Sequence, residues 1–361
     1  MIDESNFMSP FDDPALAAAQ IEANKINAAG GVDGHPFKFI VENDQLNATK
    51  TKSDALDVIS KGAQILWVTC DVDESTPSIQ VGLAHKILTV SPCIGTDQMG
   101  PSRFGPAGDL AFSFGNAARD EGSALAQLAI QQGWKTANVI SDHSLIYYVR
   151  DCEAFAIRFK QLGGKVVDNL GFTAGDGTIG NVASQAESSK AAVNAICTAS
   201  STKELPTFLT SLRTVGDQAA VIGPWSLDGS FWLPKSPKIS NNIWVITYAS
   251  IYGDDPSSAV RALESKLTAE GKAPTTGGFV TGAAAVDGLA TAIERAGGST
   301  NGAALAAQLV KFHNVLTISG DINFSPTLHS VFGREYRVIH IVDGKPHYVE
   351  LIKASEPVTL P

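Results

Sequence analysis

Four cysteines, seven histidines and one acidic loop are the groups in this chain with the most chemistry to offer. Cys70, Cys93, Cys152 and Cys197 form no C-x-x-C pair and no Cys/His ligand spacing, so the usual zinc sites are excluded. Cys70 and Cys93 each end an apolar, strand-like run. On neighbouring strands the two could be bridged, as in an oxidising compartment, and the other reading is two buried free thiols. His35, His85, His143, His313, His329, His340 and His347 are scattered, without H-E-x-x-H spacing, and read as surface or satisfied core residues. There is no G-x-G-x-x-G after a strand, no Walker loop and no G-x-S-x-G elbow. No acid, base and nucleophile converge, so neither catalysis nor a cofactor is expected. Asn47-Ala-Thr49 matches a glycosylation acceptor, a triplet frequent by chance.

The loop Asp71-Val72-Asp73-Glu74-Ser75-Thr76 opens a helix. A helix N-terminus suits a ligand's anionic group. Capping of the helix by Asp73 or Glu74 is the competing use of the same acids.

These groups sit in an alternation of strands and helices. Residues 14–29 read as a helix, with Pro14 in its first turn, Asp12 or Asp13 as cap and Gly30-Gly31 after its end. Strands are expected at 37–41, 65–68 and 88–90, and helices at 51–61 and 76–84. The theme then repeats. Helices are expected at 120–132, 147–162 and 204–214, and strands at 136–140, 165–167, 191–196, 219–222 and 243–247. Such alternation implies parallel sheets with right-handed crossovers, and two such runs imply two doubly wound α/β lobes. Helices follow at 257–270, 277–295 and 303–312; the alanines and glycines of the second suggest close helix–sheet packing. The chain ends in strands at 336–341 and 347–352, joined by an Asp343-Gly344 turn.

With 361 residues, 44% of them hydrophobic, the chain can build two domains. A net charge of −10 disfavours nucleic acid, and no basic block invites an anionic bilayer. No apolar run reaches the roughly 18–20 residues needed to span a membrane, and no signal peptide is visible. Met1-Ile2-Asp3 looks like the tail of a strand. The expectation is that a leader and a few strand residues precede or were replaced in this numbering; a cytoplasmic protein with a short first strand is the alternative.

Residues 26–37 (Ile-Asn-Ala-Ala-Gly-Gly-Val-Asp-Gly-His-Pro-Phe) resemble the opening helix and turn of type I periplasmic solute-binding proteins. More narrowly they resemble the leucine/isoleucine/valine-binding family of ABC transporters. Further matches follow in order: 39–44 a second strand with an acidic end, 65–77 a third strand and its Ser/Thr-rich loop, 87–93 the next strand and ligand loop. Residues 114–122 resemble the first hinge crossing, 138–148 the strand and loop opening the second lobe, and 321–326 the last crossing. The resemblance implies two Rossmann-like lobes joined by three crossing strands. One lobe takes residues 1–117 and 249–325, the other 118–248 and 326–361, with the ligand cleft between them.

The resemblance also implies a set of ligand residues. Phe11 occupies the place of an aromatic over the ligand; packing on its own lobe is the other reading. Val72 stands where the family's main serine is expected, so carboxylate recognition falls to backbone N–H groups near Asp73, to Ser75, and to Cys93, Ile94 and Thr96 after the next strand. Tyr147 or Tyr148 matches a tyrosine that closes over the ligand. Trp225 matches the position where amino-acid binders carry a glutamate for the ligand's ammonium. An indole supplies an apolar wall and one N–H but no charge, which points away from an ordinary α-amino acid and towards an aromatic or apolar ligand; second-lobe core is the other reading. Ser200, Ser201 and Tyr248 complete the set. The implied protein is an exported monomeric receptor that captures an aromatic or apolar carboxylate, or a branched-chain amino acid-like ligand, by hinge closure. It would hand the ligand to a membrane permease. The alternatives are a sensor of the same fold or a receptor for short amides.

Overall fold

The computed structural model describes residues 1–360. In chain order the elements begin with helices α1 (Ser9–Ala28) and α2 (Ala48–Ser60), strand β1 (Ile65–Trp67), α3 (Val72–Ala84), β2 (Leu88–Ser91), the single turn α4 (Pro101–Phe104) and β3 (Ala111–Asn116). Next come α5 (Ala118–Gln131), β4 (Thr136–Asp142), α6 (Ile146–Gln161), β5 (Lys165–Phe172), α7 (Ile179–Ser189), β6 (Val193–Cys197), α8 (Glu204–Thr214), β7 (Ala220–Gly223) and β8 (Ile243–Thr247). The remainder is α9 (Ser258–Ala269), α10 (Phe279–Arg295), α11 (Gly302–Leu309), β9 (Val315–Thr317), β10 (Gly320–Ile322), β11 (Ser330–Val331), β12 (Tyr336–Val342) and β13 (Lys345–Ile352).

The chain divides into two units. Met1–Ala117 with Ser258–Arg334 form the first, and Ala118–Ser257 with Glu335–Pro361 the second. The second and third crossings thus fall at 257/258 and 334/335, not at the expected 248/249 and 325/326. Hydrogen bonding sets these boundaries. Asp255 accepts from Ser250 N and pairs with Arg337, and Asp254 accepts from Tyr348 N, which ties residues 250–257 to the second unit. In the same way His329 bonds to the Ala111 carbonyl, β11 pairs with β3, and Arg334 donates to the Phe114 carbonyl. These bonds tie 329–334 to the first unit.

The first unit holds a parallel sheet ordered β1-β2-β3-β11 and a small antiparallel β9–β10 pair. Its core joins Leu88, Val90, Phe112 and Phe114 of the sheet to Ala284, Leu289 and Ile293 of α10. The small residues of α10 serve two contacts. A Cβ on Gly288 would meet the Phe114 ring, which is the expected helix–sheet packing, whereas one on Gly282 would strike the Ala15 carbonyl of α1, a helix–helix approach. Residues 37–41 do not join a ladder as expected. Both peptide groups of Phe37 are taken by the Asn27 amide, and the pairing of this region is reduced to a bridge between Ile2 and Asn43. Helix α1 starts earlier than expected, so neither Asp12 nor Asp13 caps it and Phe11 lies in its first turn. Asn47, the would-be glycosylation site, caps α2 by accepting from Lys50 N.

The second unit is a seven-stranded sheet ordered β13-β12-β8-β7-β6-β4-β5. Its central strands are parallel, and β12 and β13 run antiparallel at one edge. Asp343 and Gly344, with φ of 51° and 76°, make the hairpin turn anticipated between the last two strands. Helix α7 was not anticipated, because Gly175, Gly177 and Gly180 mask the apolar face formed by Ile179, Val182, Ala183 and Ala186.

All four cysteines pair. Cys70–Cys93 lies in the first unit and Cys152–Cys197 in the second, with Cα separations of 4.9 and 5.9 Å. They close loops with sequence separations of 23 and 45 residues. Chain-entropy reasoning gives about 3–4 kcal/mol of stability for each. Thiol titration of the denatured, unreduced protein should find no free thiol, and reduction should lower the urea midpoint. Two or more titratable thiols would contradict the pairing.

Candidate functional site

In the first unit the expected ligand groups have partners within the protein. Asp71, not Asp73 or Glu74, caps α3: its Oδ1 accepts from Asp73 N at 2.7 Å and Glu74 N at 3.0 Å. The N–H groups suited to a ligand carboxylate therefore hold a resident carboxyl, which burial pushes up to about 7. Ser75 donates to the Thr69 carbonyl, and Thr96 Oγ1 accepts from Gln98 N. Asp73 pairs with Arg103 at 2.7 Å. The backbone N–H groups of Cys93 and Ile94 both turn to Ser91 Oγ, and Val72 is fully buried. Phe11 is buried in α1. Its neighbour Asp12 accepts from Thr69 Oγ1, Cys70 N and Asp3 N, and burial raises its carboxyl to about 8.

The second unit brings its predicted residues together. Tyr147 lies in the first turn of α6 after β4, Ser200 and Ser201 follow β6, Trp225 follows β7 and Tyr248 follows β8. These four strands are neighbours in the sheet, so the residues gather at the carboxyl ends of adjacent strands. In doubly wound sheets that edge is where ligands bind. Ser200 N donates to the Ser226 carbonyl at 2.8 Å, which holds the loop after β6 against the loop bearing Trp225. The Trp225 and Tyr248 rings lie 5.2 Å apart, and Tyr248 and Tyr336 6.3 Å apart. The hydroxyl oxygens of Ser141, Ser200 and Ser201 are buried and find no hydrogen-bond partner in the protein. A buried hydroxyl without a partner is costly, so these groups are suited to a polar ligand.

One residue of this group was not foreseen. Glu121, in the first turn of α5, is fully buried. Its Oε1 accepts from Trp225 N at 2.8 Å and its Oε2 from Tyr147 O–H at 3.0 Å. Burial raises its carboxyl to about 8, against the opposing effect of these two donors. The signal in the sequence was Gly122. A Cβ there would come within 2.3 Å of the Asp151 carbonyl, so glycine lets α5 approach α6 and carries Glu121 to Tyr147.

Two doubly wound units with a cluster of aromatic rings and unpaired hydroxyls at the strand ends define a binding-protein architecture of the type I periplasmic kind. A family model described as periplasmic binding protein matches residues 2–345, and the chain belongs to that family. Solved structures agree in fold. A leucine-binding protein LivK of Thermotoga maritima is 19% identical with a TM-score of 0.82, over 97% of both chains. The branched-chain amino acid binding protein LivJ of Streptococcus pneumoniae, solved with isoleucine, is 16% identical with a TM-score of 0.83, over 98% of this chain and 97% of that one. A solute-binding protein of an ABC transporter from R. palustris, solved with benzoate, is 16% identical with a TM-score of 0.79, over 99% and 97%. No curated protein matches the sequence by direct comparison. The family is extracytoplasmic by its description, and among the described residues no helix is long and apolar enough to cross a membrane.

Proposed function

We propose that this protein is the ligand-capturing component of an ABC importer, and that its ligand is a small carboxylic acid with an aromatic or apolar body. The observation that carries this reading is the convergence of Tyr147, Trp225, Tyr248 and the unpartnered Ser200 and Ser201 hydroxyls at four adjacent strand ends of the second unit. Rings supply apolar area with fixed geometry, and the hydroxyls supply donors for a polar head. The relatives solved with isoleucine and with benzoate share the fold and bracket this ligand class. Ligand-coupled closure about the three chain crossings would present the loaded form to a membrane permease.

The test is a thermal-shift screen against aromatic acids, branched-chain amino acids, keto acids and amides. A ligand that binds only the folded state raises its stability, by about 2.7 kcal/mol at a hundred times Kd. Aromatic or apolar carboxylates are expected to raise Tm, and Trp225→Ala is expected to weaken the best of them at least about tenfold through the lost ring contact. Binding of amides alone, or undiminished binding by Trp225→Ala, would refute the reading.

A further inference from the structure

Spacing along the sequence offers no usual zinc site, yet the first unit assembles three metal-ligating side chains from distant segments. Strands β1 and β2 run parallel, with Trp67 opposite Val90. Cys70 and Cys93 follow that pair at the same interval, so both lie beyond the carboxyl ends of neighbouring strands. Their Cα atoms are 4.9 Å apart and their sulfurs are bridged. The third group is Asp12, from the first turn of α1. Its Oδ1 accepts from Cys70 N at 2.8 Å, and its Oδ2 from Asp3 N at 2.8 Å and from Thr69 Oγ1. A carboxyl oxygen of Asp12 and both sulfurs lie within 4.8 Å of one another. That is the span of ligand atoms about one ion bonded at about 2.3 Å to sulfur and about 2.0–2.2 Å to oxygen. All three residues are buried. Among the described residues no basic side chain pairs with Asp12. A buried carboxyl without a countercharge calls for a proton or a cation. Oδ1 receives one hydrogen bond and keeps a lone pair for such a cation.

We propose that Asp12, Cys70 and Cys93 form a redox-gated site for a thiophilic divalent cation, zinc(II) by the chemistry of its donors. The site belongs to the first unit and does not rest on the ligand reading above. Two thiolates and one carboxylate suit zinc, which accepts sulfur and oxygen donors alike. Magnesium and calcium take oxygen ligands and are poorly served by this set. In the bridged form the two sulfurs are bonded to each other and hold no ion. A dithiol opens the site. It gives two electrons and two protons to the Cys70–Cys93 bond, becomes a disulfide itself, and leaves two thiols. Zinc then displaces the protons of both thiols and of the Asp12 carboxyl to solvent, and binds the two sulfurs and Oδ1. The ion ties the end of β1 to the end of β2, as the bridge did, and supplies the positive charge that Asp12 lacks.

The test titrates the full chain with cadmium(II) and zinc(II) before and after reduction by a water-soluble phosphine, which becomes phosphine oxide and is removed under argon. Cadmium reports thiolate bonding through its ultraviolet charge-transfer band, and zinc reports by displacing cadmium. The reduced parent should bind one ion through thiolates and gain several degrees in Tm, because the ion binds the folded state. The bridged parent should show no such band. Reduction also opens Cys152–Cys197, so the double variant Cys152→Ala with Cys197→Ala is titrated alongside and should keep the ion. Asp12→Asn, whose amide oxygen can still accept from Cys70 N, should weaken binding at least about tenfold. The proposal is overturned if the reduced parent shows no band, if the ion is lost with Cys152 and Cys197, or if Asp12→Asn binds as tightly as the parent. It is also overturned if the reduced parent binds equally well in urea, since free thiols of an unfolded chain would then suffice. The parent with and without urea decides the matter even where a variant fails to fold.

Discussion

Asp255→Ala is expected to cost the second unit about 3–5 kcal/mol of stability, read as a lowered urea midpoint with little change in slope. Asp255 is fully buried and accepts from Arg337 Nε at 3.0 Å and Nη2 at 3.3 Å, a two-pronged pair on β12. Arg337 is itself 8% exposed. The same carboxyl accepts from Ser250 N and Ser257 N and so folds the segment between them back on itself. Removing it leaves a buried guanidinium without its acid and two peptide N–H groups without acceptors, and both losses act in one direction. A double variant separates charge from packing. Asp255→Ala with Arg337→Met should recover part of the loss, because an apolar chain of similar length carries no unpaired charge. A loss below about 1 kcal/mol for the single variant would mean that water reaches Arg337 and that the pair does not hold the segment. The pair also decides where one unit ends. Without it, residues 250–257 have fewer ties to the second unit, and the crossing would move towards the end of β8, where sequence reasoning placed it.

That misplacement shows what could be read in advance. Strand and helix periods are local, so the alternation that makes both sheets was legible, as was the Asp343-Gly344 hairpin, whose residues tolerate the positive φ that the turn requires. The resemblance to the binding-protein family, not spacing, singled out Tyr147, Ser200, Trp225 and Tyr248, and the structure puts them on one edge of the second sheet. What escaped were bonds between distant segments. An acid in the first turn of a helix reads as a partner for the helix dipole, and only Trp225, far along the chain, makes Glu121 part of a site. Asp12 reads as a cap, yet it is held by Thr69 and Cys70. Residues 37–41 have the composition of a strand, but Asn27 takes the peptide groups at Phe37. The Cys152–Cys197 bridge joins a helix to a strand end, a proximity that no spacing rule reports.

The stability of the ligand-free protein should fall as pH rises from about 5 to 9, and Glu121→Gln should flatten part of that fall. Glu121 has a folded-state carboxyl at about 8 against an ordinary 4.5. Between those values the folded state binds a proton that the unfolded state has released, so stability decreases with rising pH. The contribution is fully present below 4.5 and lost as pH passes through 8. At about 1.4 kcal/mol per pH unit the loss is on the order of 5 kcal/mol. Asp12 in the first unit, also raised to about 8, acts in the same direction, as does Asp71 at about 7. The parent alone therefore reports a sum, and the difference between parent and Glu121→Gln isolates one residue. That difference should be flat below pH 4.5 and move in favour of the variant up to about pH 8. The groups facing Glu121 are Tyr147 O–H and Trp225 N–H, with Asp151 and Tyr248 acting on Tyr147; none of these supplies positive charge to cancel the effect. A parent and variant with parallel stability curves over the whole range would mean that Glu121 is hydrated and ionises as it does in water.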